Sequence, residues 1–312
     1  MTATSGRATQ DGFDLWTLQT DAVHIAVCPE LGGKVVSLRD RRRDREWMWA
    51  PPGRPLGQQP IGTPYDRGPM AGIDECLPTV GPCTVERRDM PDHGEAWARA
   101  WDVVSADEQG ITLALELDCL PLTFERNVRV QDAVVRLDYA LTNTANHPVD
   151  YVWCLHPLFA IRDGDAIALQ PGPGAGRIDG GLGLPGLEPD GPAKWPSPVP
   201  SVAIDRMDLG PLPACVKLFT PSPQEPSFRI EDTTHADPRT QLACRYGPRE
   251  ALPYLGVWLT RGGLHGFHHV ALEPTNAPFD HLDKAIAHTE SPTQLSAHET
   301  RRWWVEYEVC SQ

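Results

Sequence analysis

The sequence predicts an all-β protein, folded as one large antiparallel β-sandwich. Segments in which apolar and polar residues alternate recur from the first thirty residues to the last ten, and a period of two is expected of a strand with one buried and one wet face. The 32 prolines and 27 glycines are spread between these segments as turn residues. Many short strands between turn signals are typical of sandwiches and barrels. Since no linker-like break divides the strand signals, we expect residues 1–312 to form a single domain.

The strands can be assigned in chain order. Each assigned segment alternates apolar with polar or small residues, at positions 22–27, 34–38, 111–117, 128–130, 135–142 and 304–309. Gly32-Gly33 marks the turn between the first two. The turn at Gln131-Asp132 predicts that the strands on either side of it form an antiparallel hairpin. No long window has apolar residues at the i, i+3, i+4 and i+7 spacing of an amphipathic helix, so helices should contribute little.

One segment, Gln170–Pro200, breaks the pattern. It is dense in glycine and proline and has no periodicity. A long loop inside a compact domain is usually a lid, a binding loop or disordered. We therefore expect a loop at about 170–200, in which Trp195 either anchors the loop or faces a ligand.

Composition limits the possible partners and location. The chain has 28 Lys and Arg against 42 Asp and Glu, a net charge of −14, and its one basic run, Arg39–Arg45, contains two aspartates. Nucleic-acid binding is disfavoured, because phosphate contacts need clustered cations. None of the eight cysteines forms a C-x-x-C pair. The N-terminus lacks the apolar core of a signal peptide, and no window approaches ~18 consecutive apolar residues. We expect a cytoplasmic protein that does not bind membranes.

A carboxylate near the C-terminus is the first candidate catalytic group. The short strand His269–Leu272 should end at Glu273, because Pro274 cannot donate to a strand ladder. A loop rich in Asn, Pro and Asp follows. A carboxylate at the rim of a sheet is well placed to face a cleft. The alternative is an ordinary surface glutamate at a strand end.

Two histidines share this placement beside glycine or proline. His156 lies in an apolar run, and Pro157 should end its strand; the alternative is a buried neutral histidine with a packing role. His93 precedes Gly94 at a turn. Two imidazoles and a carboxylate are the groups that a proton-transfer site working near neutral pH needs.

Motifs along nearly the whole chain resemble the aldose 1-epimerase (galactose mutarotase-like) superfamily. In chain order they are LGGKVVSLRD, AGIDECLPTVGP, DHGEAWARAW, LHPLF, PYLGVW, ALEPTNAP and LSAHETRRWWVEYEV. The resemblance implies a large antiparallel β-sandwich with its site in the concave face of one sheet. It implies interconversion of the α and β anomers of a small-molecule carbohydrate without a dissociable cofactor. Whether the protein forms a homodimer stays open.

The resemblance also implies roles for three residues. His156, in LHPLF, matches the general acid that protonates the ring oxygen of the sugar. Glu273, in LEP, matches the general base that removes the proton of the anomeric hydroxyl. His93, in DHG, matches a second histidine that holds the ring oxygen or a neighbouring hydroxyl.

Departures from the family bear on the substrate. The motif AGIDECLPTVGP looks most like the hexose-6-phosphate epimerase branch, but Met70 and Trp97 stand where that branch often carries arginines that would bind phosphate. We therefore expect a free, unphosphorylated sugar. The expected substrate-binding residues are Asp74, Glu75, Arg67, Trp97, Trp153, Lys217 and Trp258. Carboxylates accept hydrogen bonds from sugar hydroxyls; the cations Arg67, Arg99 and Lys217 would suit an acidic sugar. Tryptophan rings offer faces on which a sugar can stack. Two tryptophans spaced four apart, as Trp97 and Trp101 are, more often belong to the hydrophobic core.

Three alternatives stay open at this point. The chain could be a non-catalytic carbohydrate-binding sandwich, since a shared fold does not fix function. It could be a different sugar isomerase or lyase that uses the same acid and base for enolisation at C2. It could also be a cupin-type metal enzyme using His265, His268, His269 and Glu273, although strand alternation would put His268 and His269 on opposite faces. We expect no metal.

Overall fold

The computed structural model describes residues 3–172, 174–200, 202–206, 213–233 and 240–311. These residues contain 24 β-strands, two 3-10 helices (Pro29–Leu31 and Tyr65–Arg67) and a single short α-helix, α1 (Leu282–Ala287). Within the described ranges, no helix has the length and apolar character needed to cross a bilayer.

The strands are spread over the whole chain. The first twelve are β1 (Thr4–Gln10), β2 (Phe13–Gln19), β3 (Val23–Cys28), β4 (Lys34–Asp40), β5 (Arg45–Glu46), β6 (Ile73–Cys76), β7 (Cys83–Val85), β8 (Arg88–Met90), β9 (Asp102–Ala106), β10 (Gly110–Glu116), β11 (Leu122–Gln131) and β12 (Val134–Asn143). The others are β13 (Val149–Asp150), β14 (Cys154–Phe159), β15 (Asp165–Leu169), β16 (Gly176–Leu182), β17 (Pro192–Ala193), β18 (Ala214–Pro221), β19 (Ser227–Asp232), β20 (Thr240–Gly247), β21 (Tyr254–Arg261), β22 (His268–Thr275), β23 (Gln294–Leu295) and β24 (Thr300–Ser311).

Two large sheets form the sandwich. Sheet I has twelve strands in the order β1-β2-β3-β4-β6-β14-β22-β21-β18-β16-β17, with β5 paired to β4. Sheet II has eight, in the order β15-β19-β20-β24-β12-β11-β10-β9. In the part of the chain that the structure describes, every ladder between these strands is antiparallel. The predicted all-β antiparallel sandwich is confirmed.

The hydrophobic core lies between the two sheets. Leu155 and Leu272 from sheet I are buried in the same cluster as Leu137 and Val305 from sheet II. The alternating segments of the sequence produce this core, because every second side chain of a strand points to one face. The predicted hairpin is present as β11 and β12, with Gln131 paired to Val134 across its turn.

The glycine- and proline-rich segment differs from the expected loop. It contains β16 and β17, which form one edge of sheet I. β16 pairs with β18, with Ile178 opposite Leu218. Sequence periodicity does not reveal this strand, because most of its residues are glycines or have exposed side chains. Apolar and polar residues therefore do not alternate along it. Trp195 is partly buried and packs against the core, which fits an anchoring role for this residue.

The two strands that carry the candidate acid and base do not end where the prolines predicted. β14 continues through Pro157 to Phe159, and β22 continues through Pro274 to Thr275. Pro157 remains paired with Ile73 on β6, and Pro274 with Leu255 on β21. A proline removes only its own N–H, so the ladder on one side of its strand can persist. His156 and Glu273 therefore lie in the middle of sheet I and not at its rim.

Candidate active site

A row of polar side chains crosses the face of sheet I that is turned away from the core. Five neighbouring strands contribute one residue each. In sheet order the row is Asp74 (β6), His156 (β14), Glu273 (β22), Trp258 (β21) and Lys217 (β18). Asp74 lies opposite His156, and Trp258 lies opposite Lys217. Their sequence neighbours Ile73, Leu155 and Leu272 point into the core, so strand alternation sends the row outward.

The strand register places the candidate acid beside the candidate base. β14 and β22 are bridged at Cys154–Thr275 and at Leu158–Ala271. Continuing this register between the two pairs puts His156 opposite Glu273. The Nε2 atom of His156 lies 3.5 Å from Oε1 of Glu273. Residues 117 positions apart in the sequence are thus direct neighbours in the sheet.

The two oxygens of the Glu273 carboxylate have different surroundings. Oε2 accepts a hydrogen bond from the ammonium of Lys217 and one from the thiol of Cys154 at 3.4 Å. Oε1 is buried and receives no hydrogen bond from any described residue. The Lys217 ammonium also lies 3.3 Å from Oδ1 of Asp280. Oε1 is therefore the oxygen with a free lone pair.

His93 reaches the site from a strained turn. His93 and Gly94 both have left-handed backbone conformations, with φ of 57° and 71°. A Cβ at Gly94 would lie 2.0 Å from the carbonyl oxygen of Leu77, so only glycine fits there. His93 Nδ1 lies 2.6 Å from Oδ1 of Asp92. The ring of His93 meets the ring of His156 edge-on, with centroids 5.1 Å apart.

Tyr65 contacts both His93 and Asp74. Sequence reasoning missed this residue, because it lies in a 3-10 helix outside the strands, where no periodicity marks side-chain direction. Its ring stacks on His93 at 4.0 Å with an interplanar angle of 5°. Its hydroxyl donates to Oδ2 of Asp74 at 2.9 Å. Oδ1 of Asp74 accepts from the buried Lys34 ammonium at 2.5 Å. Asp74 therefore holds Tyr65, which in turn fixes the plane of the His93 ring.

A cavity of about 230 Å³ lies over this row. Its lining residues are Tyr65, Asp66, Val80, Asp92, His93, His156, Lys217, Trp258, Leu264 and Asp280. Ligand pockets usually measure roughly 300–1,000 Å³, so this cavity suits a small ligand. Glu273 has no exposed surface. It lies directly below the cavity, against two of its lining residues, His156 and Lys217.

Burial and neighbouring charges shift the pKa values of these groups. Burial, with the nearby His93 and Lys217, holds the pKa of His156 well below 6.5. Burial raises the pKa of Glu273 above 4.5, against the opposing effect of Lys217. Burial disfavours the charge of Lys217, but Asp280 and Glu273 prevail and raise its pKa well above 10.5. Three titratable groups with shifted pKa values around one cavity are a feature typical of active sites.

The structure does not bring Glu75 and Trp153 to the cavity. Both are buried between the two sheets, Glu75 on β6 and Trp153 in the segment just before β14. Glu75 accepts hydrogen bonds from Arg126 of sheet II at 2.8 Å, from the Tyr139 hydroxyl at 2.9 Å and from the indole of Trp153 at 2.9 Å. Adjacent strand residues face opposite sides, so Glu75 points away from the face that carries Asp74. The expectation that Glu75 and Trp153 contact the substrate has no support in this placement.

The remaining candidates are also divided between the cavity and other places. Lys217 and Trp258 line the cavity. Trp97 is buried beside it, and its indole donates to the carbonyl of Asp92 at 3.1 Å. Arg67 is exposed and does not line the cavity. Arg99 is engaged elsewhere, by Glu95 and Asp118.

We predict that Glu75→Gln lowers the free energy of unfolding by about 3–5 kcal/mol, because the buried Arg126 would lose its counter-charge. Urea unfolding followed by circular dichroism measures this. The control is Glu125→Gln, an exposed position on β11, which should change stability by no more than ~0.5 kcal/mol. If Glu75→Gln instead raised the KM for a sugar and left stability unchanged, Glu75 would be a substrate-binding residue after all.

The four residues of the cupin-type alternative do not converge. His268 is exposed, and His269 is buried on the other face of β22. The His269 ring packs between Trp49 and Trp258, with centroids 4.4 Å and 4.9 Å away. His265 pairs instead with Asp66, at 2.8 Å. Among the described residues, no group of three or more His, Cys, Asp or Glu is arranged to hold a metal ion.

The fold is thus a β-sandwich, and its candidate site places His156 and Glu273 beneath a small cavity. The family model for aldose 1-epimerase matches residues 14–174, which is more than half of the 312-residue chain. The chain belongs to the aldose 1-epimerase family. No protein with a curated description matches it.

Solved structures with the same fold cover nearly the whole chain. The Slr1438 protein from Synechocystis sp. PCC 6803 is 15% identical over 98% of both chains, with a TM-score of 0.72. A galactose mutarotase-like protein from Clostridium acetobutylicum is 10% identical over 99% of this chain and 98% of its own, with a TM-score of 0.71. A galactose mutarotase-like protein from Lactobacillus casei ATCC 334 is 16% identical over 95% and 100%, with a TM-score of 0.67. At these identities the likeness establishes the fold.

Proposed function

We propose that the protein is an aldose 1-epimerase-like isomerase that interconverts the anomers of a free sugar. The observation that carries the proposal is the pairing of His156 Nε2 with Glu273 Oε1 at 3.5 Å, directly below a sugar-sized cavity. An acid and a base of this kind are needed at opposite ends of one hemiacetal, to open the ring and to close it again.

In the proposed reaction, Oε1 of Glu273 takes the proton of the anomeric hydroxyl while His156 delivers a proton to the ring oxygen. The bond between C1 and the ring oxygen breaks, and the open-chain aldehyde forms. Rotation about C1–C2 presents the other face of the aldehyde to the hydroxyl that formed the ring. The reverse proton transfers then close the ring as the other anomer and restore both residues.

The site must adjust slightly to bind a sugar in this way. Glu273 has no exposed surface, so the cavity-lining side chains above it have to shift before O1 can reach Oε1. Burial lowers the pKa of His156 and so disfavours its imidazolium form. The imidazolium that protonates the ring oxygen must therefore form in the substrate complex, where the Glu273 carboxylate is the counter-charge at 3.5 Å. Catalytic contacts are often long in empty sites and tighten when substrate binds.

The charges around the cavity support a sugar without phosphate. Asp66, Asp92 and Asp280 line it, and its one lysine, Lys217, already contacts two carboxylates. A phosphate would add negative charge without a free cation to receive it. Carboxylate oxygens accept hydrogen bonds from neutral hydroxyl groups. Eight free thiols are in keeping with the reducing cytoplasm as the proposed location.

NMR exchange between anomeric signals, across a panel of neutral, acidic and phosphorylated aldoses, tests the proposal. We expect the protein to accelerate exchange of at least one neutral aldose well above the buffer rate. Binding of sugars without faster exchange would identify a non-catalytic carbohydrate-binding protein. Acceleration confined to sugar phosphates would show that the substrate class is wrong. Appearance of a ketose or dehydrated product would point to chemistry at C2.

A further inference from the structure

Lys217 occupies a place where substrate contact and contact with the base compete. The sequence alone assigned it to substrate binding. In the structure its side chain is only 11% exposed, and its ammonium contacts Glu273 and Asp280. We propose that Lys217 is a positioning residue, which binds Oε2 of Glu273 and thereby keeps that side chain ionised with Oε1 free to accept the proton. This inference rests on the proposed function and adds a residue to it.

The first argument is that the sheet is built to let this contact form. Lys217 lies on β18 and Glu273 on β22, with β21 between them. The residue of β21 opposite Glu273 is Gly256. A Cβ at Gly256 would lie 2.8 Å from Oε2 of Glu273 and 3.3 Å from the ring of Phe219. The missing side chain leaves the gap through which the carboxylate and the ammonium meet.

The second argument is that Lys217 is held from both sides. Asp280 lies beyond it, and the backbone of Asp280 is fixed because its carbonyl accepts from the N–H groups of Val80 at 2.9 Å and Gly81 at 2.7 Å. A lysine between two carboxylates has little freedom to turn toward a ligand. Each carboxylate favours the charged ammonium, as the raised pKa of Lys217 indicates.

The third argument concerns the two oxygens of Glu273. Lys217 and Cys154 both donate to Oε2, and no described residue donates to Oε1. A carboxylate oxygen that already accepts two hydrogen bonds is a poor proton acceptor. Fixing Oε2 therefore selects Oε1, the oxygen nearest to His156, as the basic atom.

The titration of Glu273 depends on every charged or titratable group that faces it. These are Lys217 from β18, His156 and Cys154 from β14, Cys76 from β6, Tyr65 from its 3-10 helix and Asp280 from the loop after β22. Lys217 is the cation in contact with the carboxylate. Its removal should raise the pKa of Glu273, because an opposite charge within about 4–6 Å lowers a carboxyl pKa by roughly 1–3 units.

Carbon-13 NMR of protein labelled at the glutamate carboxyl carbons tests the inference without relying on activity. The Glu273 signal is the one absent from Glu273→Gln. In Lys217→Met we expect its titration midpoint to rise by about 1–3 pH units. In Lys217→Arg, which keeps a cation, the midpoint should stay closer to wild type. Lys284→Met, which removes an exposed lysine of α1, should leave it unchanged.

Gly256→Ala provides a second variant in case Lys217→Met does not fold. It leaves the lysine in place but pushes the carboxylate away from it, so the midpoint should again rise. In the kinetic measurement, Lys217→Met should lower kcat at pH 7 by about tenfold or more, with KM changed less than kcat. An unchanged midpoint in both Lys217→Met and Gly256→Ala would overturn the inference. So would a raised KM with unaltered kcat, which would make Lys217 a substrate ligand.

The inference and the proposed function fail separately. If the wild-type protein accelerates no anomer exchange, the proposed function is wrong, whatever the titration shows. If exchange is fast but the Glu273 midpoint does not respond to Lys217→Met or Gly256→Ala, only the role of Lys217 is wrong.

Discussion

Replacement of Glu273 by glutamine should slow anomer exchange by about 10²–10⁴-fold, the usual contribution of a positioned proton-transfer group. Glutamine has the size of glutamate, but its amide cannot accept the proton of the anomeric hydroxyl. The fold should persist, because Asp280 remains as a counter-charge for Lys217. Saturation-transfer NMR on the anomeric signals measures the rate, and circular dichroism verifies folding.

Glu125→Gln is the matched control for this variant. It makes the same chemical change at an exposed position of sheet II, and its exchange rate should equal that of wild type. A folded Glu273→Gln protein with full activity would remove Glu273 from the mechanism. In that case the aspartates that line the cavity would become the candidates for the base.

Replacement of His156 by asparagine should have an effect of similar size, about 10²–10⁴-fold on the exchange rate. Asparagine retains a polar side chain but cannot deliver a proton to the ring oxygen. Burial lowers the pKa of His156 and favours its neutral form, so its loss should leave no unpaired charge. We therefore expect kcat to fall much more than stability, when exchange rates and urea midpoints are measured on the same preparation.

His269→Asn serves as the control for this change. His269 is equally buried and lies on the same face of sheet I, yet it does not line the cavity. Its replacement should affect packing against Trp49 and Trp258 and leave kcat within a few-fold of wild type. If both histidine variants lose the same fraction of activity, the effect of His156→Asn is structural and the assignment of the acid is wrong.

The sequence predicted strands correctly where one face of the strand is exposed to solvent, because apolar and polar residues then alternate. The segments at 111–117 and 135–142 alternate regularly, and they became β10 and part of β12. Two features were invisible to this reasoning. The strand Gly176–Leu182 buries few side chains and shows no alternation. The prolines at 157 and 274 suggested strand ends, because a sequence does not tell which neighbouring ladder a missing N–H would have joined.

For the site, residue types were easier to predict than partners. His156 and Glu273 stand out as titratable groups in apolar surroundings, but only the register between β14 and β22 makes them neighbours. Asp74 and Glu75 were treated alike because no strand could be assigned to their segment from the sequence. Once it is known to be a strand, alternation allows only one of them to face the cavity. Tyr65 lies in a segment without periodicity, where side-chain direction depends on the tertiary fold.

The prolines have a mechanical consequence for the candidate catalytic residues His156 and Glu273. Between the bridged pairs Cys154–Thr275 and Leu158–Ala271, the two strands meet at positions that include Pro157 and Pro274. Two amide donors of a regular ladder are missing at the point where His156 and Glu273 face each other. The strands can therefore spread apart locally without breaking main-chain bonds that hold the rest of the sheet. The separation of His156 and Glu273 can therefore adjust to a ligand in the cavity above them without loss of ladder hydrogen bonds.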